Sequence, residues 1–227
     1  MSKTTEGRCS FCGKTFSKVS MKKHLDNCKT RTEEYIIEDA EKSERYFCIS
    51  VQGYESPEYW IYIDIPSSST LKGLDGFLRD IWLECCGHLS MFEIGGQTFS
   101  SSPDREFGDR SMSTKLENAL DIGMQFKYEY DFGSTTTLKL KVVSEFYGKK
   151  RKKKVKLIAR NNQPDIKCSY CGKPATSVCC QCIYDEEGWV CDDCAEKHEC
   201  GEEMLLPVVN SPRVGVCAYS GGSYEKQ

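Results

Sequence analysis

The side chains best suited to chemistry are cysteines, and they crowd into residues 168–200. There the chain reads C-x2-C-x7-C-x2-C-x8-C-x2-C-x3-H-x-C, through Cys168, Cys171, Cys179, Cys182, Cys191, Cys194, His198 and Cys200. A C-x2-C turn presents two thiolates to one ion, and zinc takes four such N or S ligands in a tetrahedron. Eight ligands therefore supply two complete sites. The order of the pairs suggests a cross-brace, with Cys168, Cys171, Cys191 and Cys194 on one ion and Cys179, Cys182, His198 and Cys200 on the other. Sequential filling by neighbouring pairs is the alternative, and spacing alone leaves both open. Cys180 rivals Cys179 as a ligand, although a spare buried thiol is the simpler reading of it.

A third set lies at the other end of the chain. Cys9, Cys12, His24 and Cys28 have the spacing C-x2-C-x11-H-x3-C, with Phe16 and Met21 available as a small apolar core. His24 and Cys28 are four apart, so a helix would place them on one face. This stretch resembles the ββα zinc-finger family in its Cys-Cys-His-Cys form, with a middle spacing one residue short. The 168–200 run resembles the B-box and MYND interaction modules, which cross-brace, but its H-x-C ending is tighter than theirs. The ββα resemblance implies that Ser17, Ser20 and Lys23 would face a DNA groove. Serine carries little base information and one finger reads about three base pairs, so no sequence-specific reading is expected. The expected cofactor is zinc, three ions in all.

These ligands need elements to hold them. Tyr46–Gln52 and Tyr59–Ile65 read as a hairpin, the second alternating through Tyr59, Ile61, Ile63 and Ile65. Apolar residues Leu71, Leu74, Phe77, Leu78, Ile81, Trp82 and Cys85 recur at helical spacing after Thr70. Short strands follow at Leu89–Ile94 and Gln97–Phe99, then a short helix at Ser113–Leu120. Strands at Met124–Tyr130, Thr135–Phe146 and Lys153–Ala159 close the region. The order predicts an α+β domain with one main helix on a mixed sheet, similar to a β-grasp. Its expected core is Ile49, Ile61, Ile63, Leu74, Leu78, Ile81, Trp82, Phe92, Phe126 and Phe132. The expected organisation is a finger over 1–30, a linker over 31–44, the α+β domain over 45–164 and a double-zinc module with an extended tail over 165–227. Cys217, 17 residues past Cys200, is not expected to be a ligand.

Residues 45–147 resemble the plasmid pRiA4b ORF-3-like family. The matching pieces are the paired opening strands, P-x4-L-x2-L at Pro66–Leu74, H-L-x2-F at His88–Phe92 and Y-x-Y-D-F-G-S at Tyr128–Ser134. The usual Trp-Arg is replaced by Tyr59-Trp60-Ile61, and Asp-x-Trp by Ser134-Thr135-Thr136. The resemblance implies a fold and a passenger protein of mobile insertion elements. It implies no activity.

Length and composition set the bounds. The 227 residues, 39% hydrophobic, suffice for one mid-sized core with small satellites. Fifteen cysteines, eight of them in C-x2-C pairs, behind a polar N-terminus read as metal ligands in a reducing cytoplasm. No apolar run reaches the 18 or so residues of a membrane span. The net charge of −3 is segregated: residues 1–31 carry +6, 32–147 carry −11, 148–160 carry +8 and 161–227 carry −6. The basic segments name candidate phosphate contacts, Lys18, Lys22 and Lys23 on the finger and Lys149, Lys150, Arg151, Lys152, Lys153 and Lys154 on a hairpin tip. Such contacts give affinity without sequence readout.

Signals for catalysis are thin. Asp131-Phe132-Gly133 matches a kinase motif but lacks every other kinase element, and reads as a turn. Of three histidines, His24 and His198 belong to zinc sites, which leaves His88 for any relay. The Cys85-Cys86-Gly87-His88 cluster could bind metal or hold a nucleophile, although two half-buried thiols and a satisfied histidine are the simpler reading of it. The sequence therefore predicts a non-enzymatic zinc protein touching nucleic acid at the finger and basic hairpin, and protein at the acidic C-terminal module. The competing readings are an enzyme with its site near His88 and Asp131, or a pure protein–protein adaptor.

Overall fold

A computed structural model describes residues 5–37, 40–152, 155–185 and 187–223. The chain falls into two compact units, one of 1–77 with 89–162 and the other of 78–88 with 163–227. Lys153 and Lys154 lie outside the described residues.

The first unit begins with the hairpin β1 (Glu6–Cys9) and β2 (Thr15–Ser17), then helices α1 (Lys18–Asn27) and α2 (Lys29–Glu34). Next come β3 (Ser43–Gly53), β4 (Trp60–Pro66) and α3 (Leu71–Leu78). Then follow β5 (Ser90–Ile94), β6 (Gln97–Ser100), β7 (Arg110–Ser111), β8 (Gln125–Tyr130), β9 (Thr136–Lys149) and β10 (Lys156–Asn161). All ten strands join one sheet, in the order β2-β1-β10-β4-β3-β9-β8-β5-β6-β7. Among the described residues only β6 and β7 run parallel, so the sheet is mixed and the fold is α+β with few helices, as the sequence predicts.

The sheet explains why β4 is buried at all seven positions. Its faces alternate: Ile61, Ile63 and Ile65 point one way, Trp60, Tyr62 and Asp64 the other. On the second face Trp60 and Tyr62 share a core with Ile158, Ala159 and Cys48, and with Cys9, Met21, Leu25 and Cys28 of the finger. The sequence divides the chain at 30 and 45. The structure instead pairs β1 with β10 and runs one core across that division. Gly7 makes the pairing possible, because a Cβ there would stand 2.4 Å from both Trp60 Cη2 and the Arg160 carbonyl.

Three local expectations change. The helix after Thr70 keeps regular α geometry only to Leu78, and Arg79–Leu83 forms a π turn. Ser113–Leu120 holds a single 3-10 turn at Leu116–Asn118. Phe132, expected in the core, is 50% exposed. It sits at the β8–β9 turn, where Asp131 adopts φ 66° and its carboxylate accepts the Gly133 N–H at 3.0 Å. That turn aims the next side chain outward.

In the second unit β11 (Ser177–Cys179) lies between β12 (Trp189–Val190) and β13 (Leu205–Pro207), with α4 at Asp192–Ala195. The tail beyond β13 packs on the π turn of the same unit. Trp82 Nε1–H donates to the Asn210 carbonyl (3.0 Å), and the Ser211 hydroxyl to the Trp82 carbonyl (2.7 Å). Arg213 and Tyr219 are fully buried. The tail is thus part of this unit's interior.

Candidate metal centres

Among the described residues, four Cys/His groups bring their ligand atoms within 4.8 Å of one another, and none of the fifteen cysteines forms a disulfide. Cys9, Cys12, His24 and Cys28 form the first. The β1–β2 turn supplies the first two ligands and α1 the histidine. Cys28, with φ −74° and ψ 107°, breaks the helix between α1 and α2 and still turns its sulfur to the site. Cys12 Sγ lies 3.2 Å from His24 Nε2. Phe16 stacks on the His24 ring at 4.2 Å and fixes its plane. Ser17 caps α1 by accepting the Ser20 N–H. The turn is pinned to the sheet where the Ser10 N–H donates to the Ile158 carbonyl at 2.9 Å.

The second group is Cys168, Cys171, Cys191 and Cys194, and the third is Cys179, Cys182, His198 and Cys200. Pairs one and three thus converge, as do pairs two and four, which is the cross-braced grouping. Cys171 and Cys191 sulfurs stand 3.5 Å apart, as do those of Cys182 and Cys200, and Cys182 Sγ is 3.7 Å from His198 Nε2. Sulfurs sharing a tetrahedral zinc stand about 3.8 Å apart, given a Zn–S bond of about 2.3 Å. A disulfide needs about 2.05 Å. The donor sets and spacings therefore fit a bound metal. Tyr170 Oη lies 3.4 Å from His198 Nδ1, where it can orient the ring. Cys180 lies apart, its thiol 3.8 Å from Met204 Sδ.

Sequence reasoning missed a repeat. Cys9-Ser10-Phe11-Cys12-Gly13-Lys14 and Cys168-Ser169-Tyr170-Cys171-Gly172-Lys173 fold alike. In each the first cysteine N–H donates to the lysine carbonyl, at 3.0 and 2.7 Å, and the glycine N–H donates back, at 2.9 and 3.0 Å. Both glycines have positive φ, 72° and 73°. The knuckle aims backbone N–H groups at sulfur. Burial opposes ionisation of Cys168, yet amide donors at Cys191, Tyr170 and Cys171 pull its thiol down to about 6. Cys179 is likewise drawn down to about 6 against burial, by donors at Cys182, Gln181 and His198. Cys9, more enclosed, is pushed up to about 11 by burial.

The fourth group is Cys85, Cys86, His88 and Cys217. Cys217, set aside on sequence distance, is brought in by the folded tail. Nothing local in the sequence could reveal that, because its partners lie some 130 residues away.

The basic candidates separate. Lys23, Lys149, Lys150 and Lys152 are exposed. Lys22 pairs with Asp26 at 3.0 Å. Arg151 is held back: its guanidinium pairs with Glu34 (2.9 Å), donates to Tyr35 Oη (2.9 Å) and lies over the Tyr35 ring. Lys18 is half-buried, and burial pushes its amine down to about 8. No described helix is long and apolar enough to cross a membrane.

The family model for plasmid pRiA4b ORF-3-like protein matches residues 46–172, ending just past Cys168 and Cys171. No curated protein matches. A solved structure, that of the protein of unknown function MM3350 from Methanosarcina mazei Go1, is 17% identical with a TM-score of 0.42. It covers 51% of this chain and 67% of its own. With the model matching more than half its length, the chain belongs to the plasmid pRiA4b ORF-3-like family.

Proposed function

We propose that this is a non-enzymatic interaction protein held together by structural zinc at Cys9/Cys12/His24/Cys28, Cys168/Cys171/Cys191/Cys194 and Cys179/Cys182/His198/Cys200. The observation that carries this reading is that each group closes with four protein ligands. Catalytic zinc characteristically keeps one position for water or substrate, whereas structural zinc has four protein ligands. Zinc is favoured over harder divalent ions by the thiolate-rich donor sets.

The first unit is the part proposed to contact nucleic acid. Two basic segments far apart in sequence belong to it. Residues 18–35 run from the first centre to the end of β9, where Tyr35 packs on Phe146 and Arg151. The basic run there joins β9 to β10, which are separated in the sheet by β3 and β4, so it is not the hairpin tip expected from sequence. Of the candidate contacts, Lys23, Lys149, Lys150 and Lys152 are exposed and would meet phosphates without reading bases. The acidic second unit is proposed to take a protein partner.

Fluorescence anisotropy with labelled single-stranded RNA and duplex DNA, titrated across salt, tests the nucleic-acid reading. Replacing Lys23, Lys149, Lys150 and Lys152 with Ser should weaken binding and flatten the log–log salt slope by about 3, at roughly 0.7–0.9 per phosphate contact. Unchanged binding, or none in the parent protein, would leave the adaptor reading in its place.

A further inference from the structure

We propose that Cys85, Cys86, His88 and Cys217 bind a fourth zinc ion, which fastens the end of the chain to the loop after the π turn. It adds to the three centres proposed above and does not depend on them. Cys86 Sγ stands 3.7 Å from Cys217 Sγ, and Cys217 Sγ stands 3.7 Å from His88 Nε2. Two thiolates on one zinc lie about 3.8 Å apart and a thiolate and imidazole about 3.5 Å. The spacing is that of ligands around an ion, nearly twice the roughly 2.05 Å of a disulfide. Three cysteines and one histidine are a common structural zinc set.

The chain builds this arrangement from both sides. On one side, Arg79 donates to Glu84 Oε2 (2.8 Å) and to the His88 carbonyl (2.6 Å), closing the loop. Gly87, at φ 75°, donates its N–H to Glu84 Oε1 at 2.6 Å. This left-handed residue reverses the chain, so that Cys86 and His88 on either side of it converge. On the other side, the contacts of Asn210 and Ser211 with Trp82 set the tail in place. Gly222 then lies so close to the Asp80 and Ile81 carbonyls that a Cβ would stand 2.3 and 2.6 Å from them. Between these anchors Cys217 takes φ 55°, a conformation that disfavours any side chain. The backbone accepts that cost at the residue whose sulfur completes the group.

Charge agrees. Three thiolates on a dication leave one negative charge, and the buried Arg213 places Nη2 3.5 Å from Cys85 Sγ, where it offsets that charge. Cys86 and Cys217 are exposed, whereas each of the other centres holds at least one buried cysteine. The fourth ion is therefore the one a chelator reaches first.

The test is metal stoichiometry on the full chain, purified under reductant without chelator. Four zinc ions are expected, and three in Cys217→Ser and in Cys86→Ser. In a competition with a chromophoric chelator one ion should leave ahead of the other three. Should Cys217→Ser misfold and shed other ions, His88→Cys decides, read by cadmium-113 resonances in the loaded protein. Four resonances with one moved toward the range of all-thiolate sites support the site; no resonance moved overturns it. Three ions in the parent, unchanged by Cys217→Ser, would overturn the fourth site alone. Fewer than three would overturn the zinc reading of the other centres as well.

Discussion

At the scale of single residues, the groups that matter most are charges taken out of water. Arg31 follows the first metal centre on α2, and its guanidinium grips Asp64 of β4 through two bonds, at 2.7 and 3.0 Å, while also donating to the Leu25 carbonyl. Asp64 is 1% exposed. Burial pushes its carboxyl up, and Arg31 is the largest of the groups that oppose that push, ahead of Tyr35 and Cys48. Breaking such a pair strands a buried charge, at about 3–5 kcal/mol. Asp64→Ala is expected to cost that much in denaturant unfolding, whereas Arg31→Met with Asp64→Leu together should recover most of the loss. Lys18 gives a second prediction. Burial pushes its amine down to about 8, with Lys139 adding repulsion. Its charged form is therefore disfavoured in the folded chain. That penalty is fully present below pH 8 and disappears as pH rises toward the unfolded value near 10.5. Reductive carbon-13 methylation should show one lysine titrating near pH 8, and Lys18→Met should remove that signal. A uniform lysine titration would contradict the burial argument.

At the scale of elements, the finger is an edge of the sheet. β1 reaches β10 only because Gly7 has no side chain, and Trp60 fills the space with its indole N–H donating to Thr5 Oγ1 at 2.9 Å. Gly7→Ala must push a fully buried indole and a paired carbonyl at once, an overpacking cost of about 1–3 kcal/mol or more. The expected result is a lower unfolding midpoint together with faster zinc loss from the first centre, while the second-unit centres keep theirs. Equal loss everywhere would refute the local account. The same strand shows what sequence reading can reach. Ligand spacing in C-x2-C turns is a local property, so the cysteine pairs were legible, as were the strand at β8 and the hairpin of β3 and β4. Pairing of a four-residue strand with one some 150 residues later depends on Gly7 and Trp60 meeting across the sheet, and periodicity does not record that. Cys217 was lost for the same reason. Phe132 was misread because a hydrophobic residue looks like core until the positive φ of Asp131 turns it out.

At the scale of the whole molecule, the question is which parts stand without metal. Read as separate modules, the chain should lose only residues 9–28 and 168–200 on chelation and keep 46–147 intact. The shared core predicts a different boundary. Cys9, Met21, Leu25 and Cys28 pack with Trp60, Tyr62, Ile158 and Ala159, so losing the ion proposed at the first centre would expose one face of β4 and β10 as well as the finger. The far strands have their own support. Phe92 packs on Phe126 and Tyr128, and the Tyr128 and Ser90 hydroxyls both donate to the buried Asp75 carboxylate, at 2.8 and 2.6 Å. The second unit has a three-stranded sheet of short strands and three candidate metal groups, and metal binding there would amount to folding free energy. Amide exchange with and without chelator should therefore lose protection in β1, α1, β10 and the outer half of β4, and throughout 163–223. Protection should persist across β5, β8 and the adjoining part of β9. If β10 and β4 stay protected after the first ion is gone, the finger is an independent module and the core assigned to both is divided. If β8 and β9 open as well, the metal centres and the sheet form one cooperative unit.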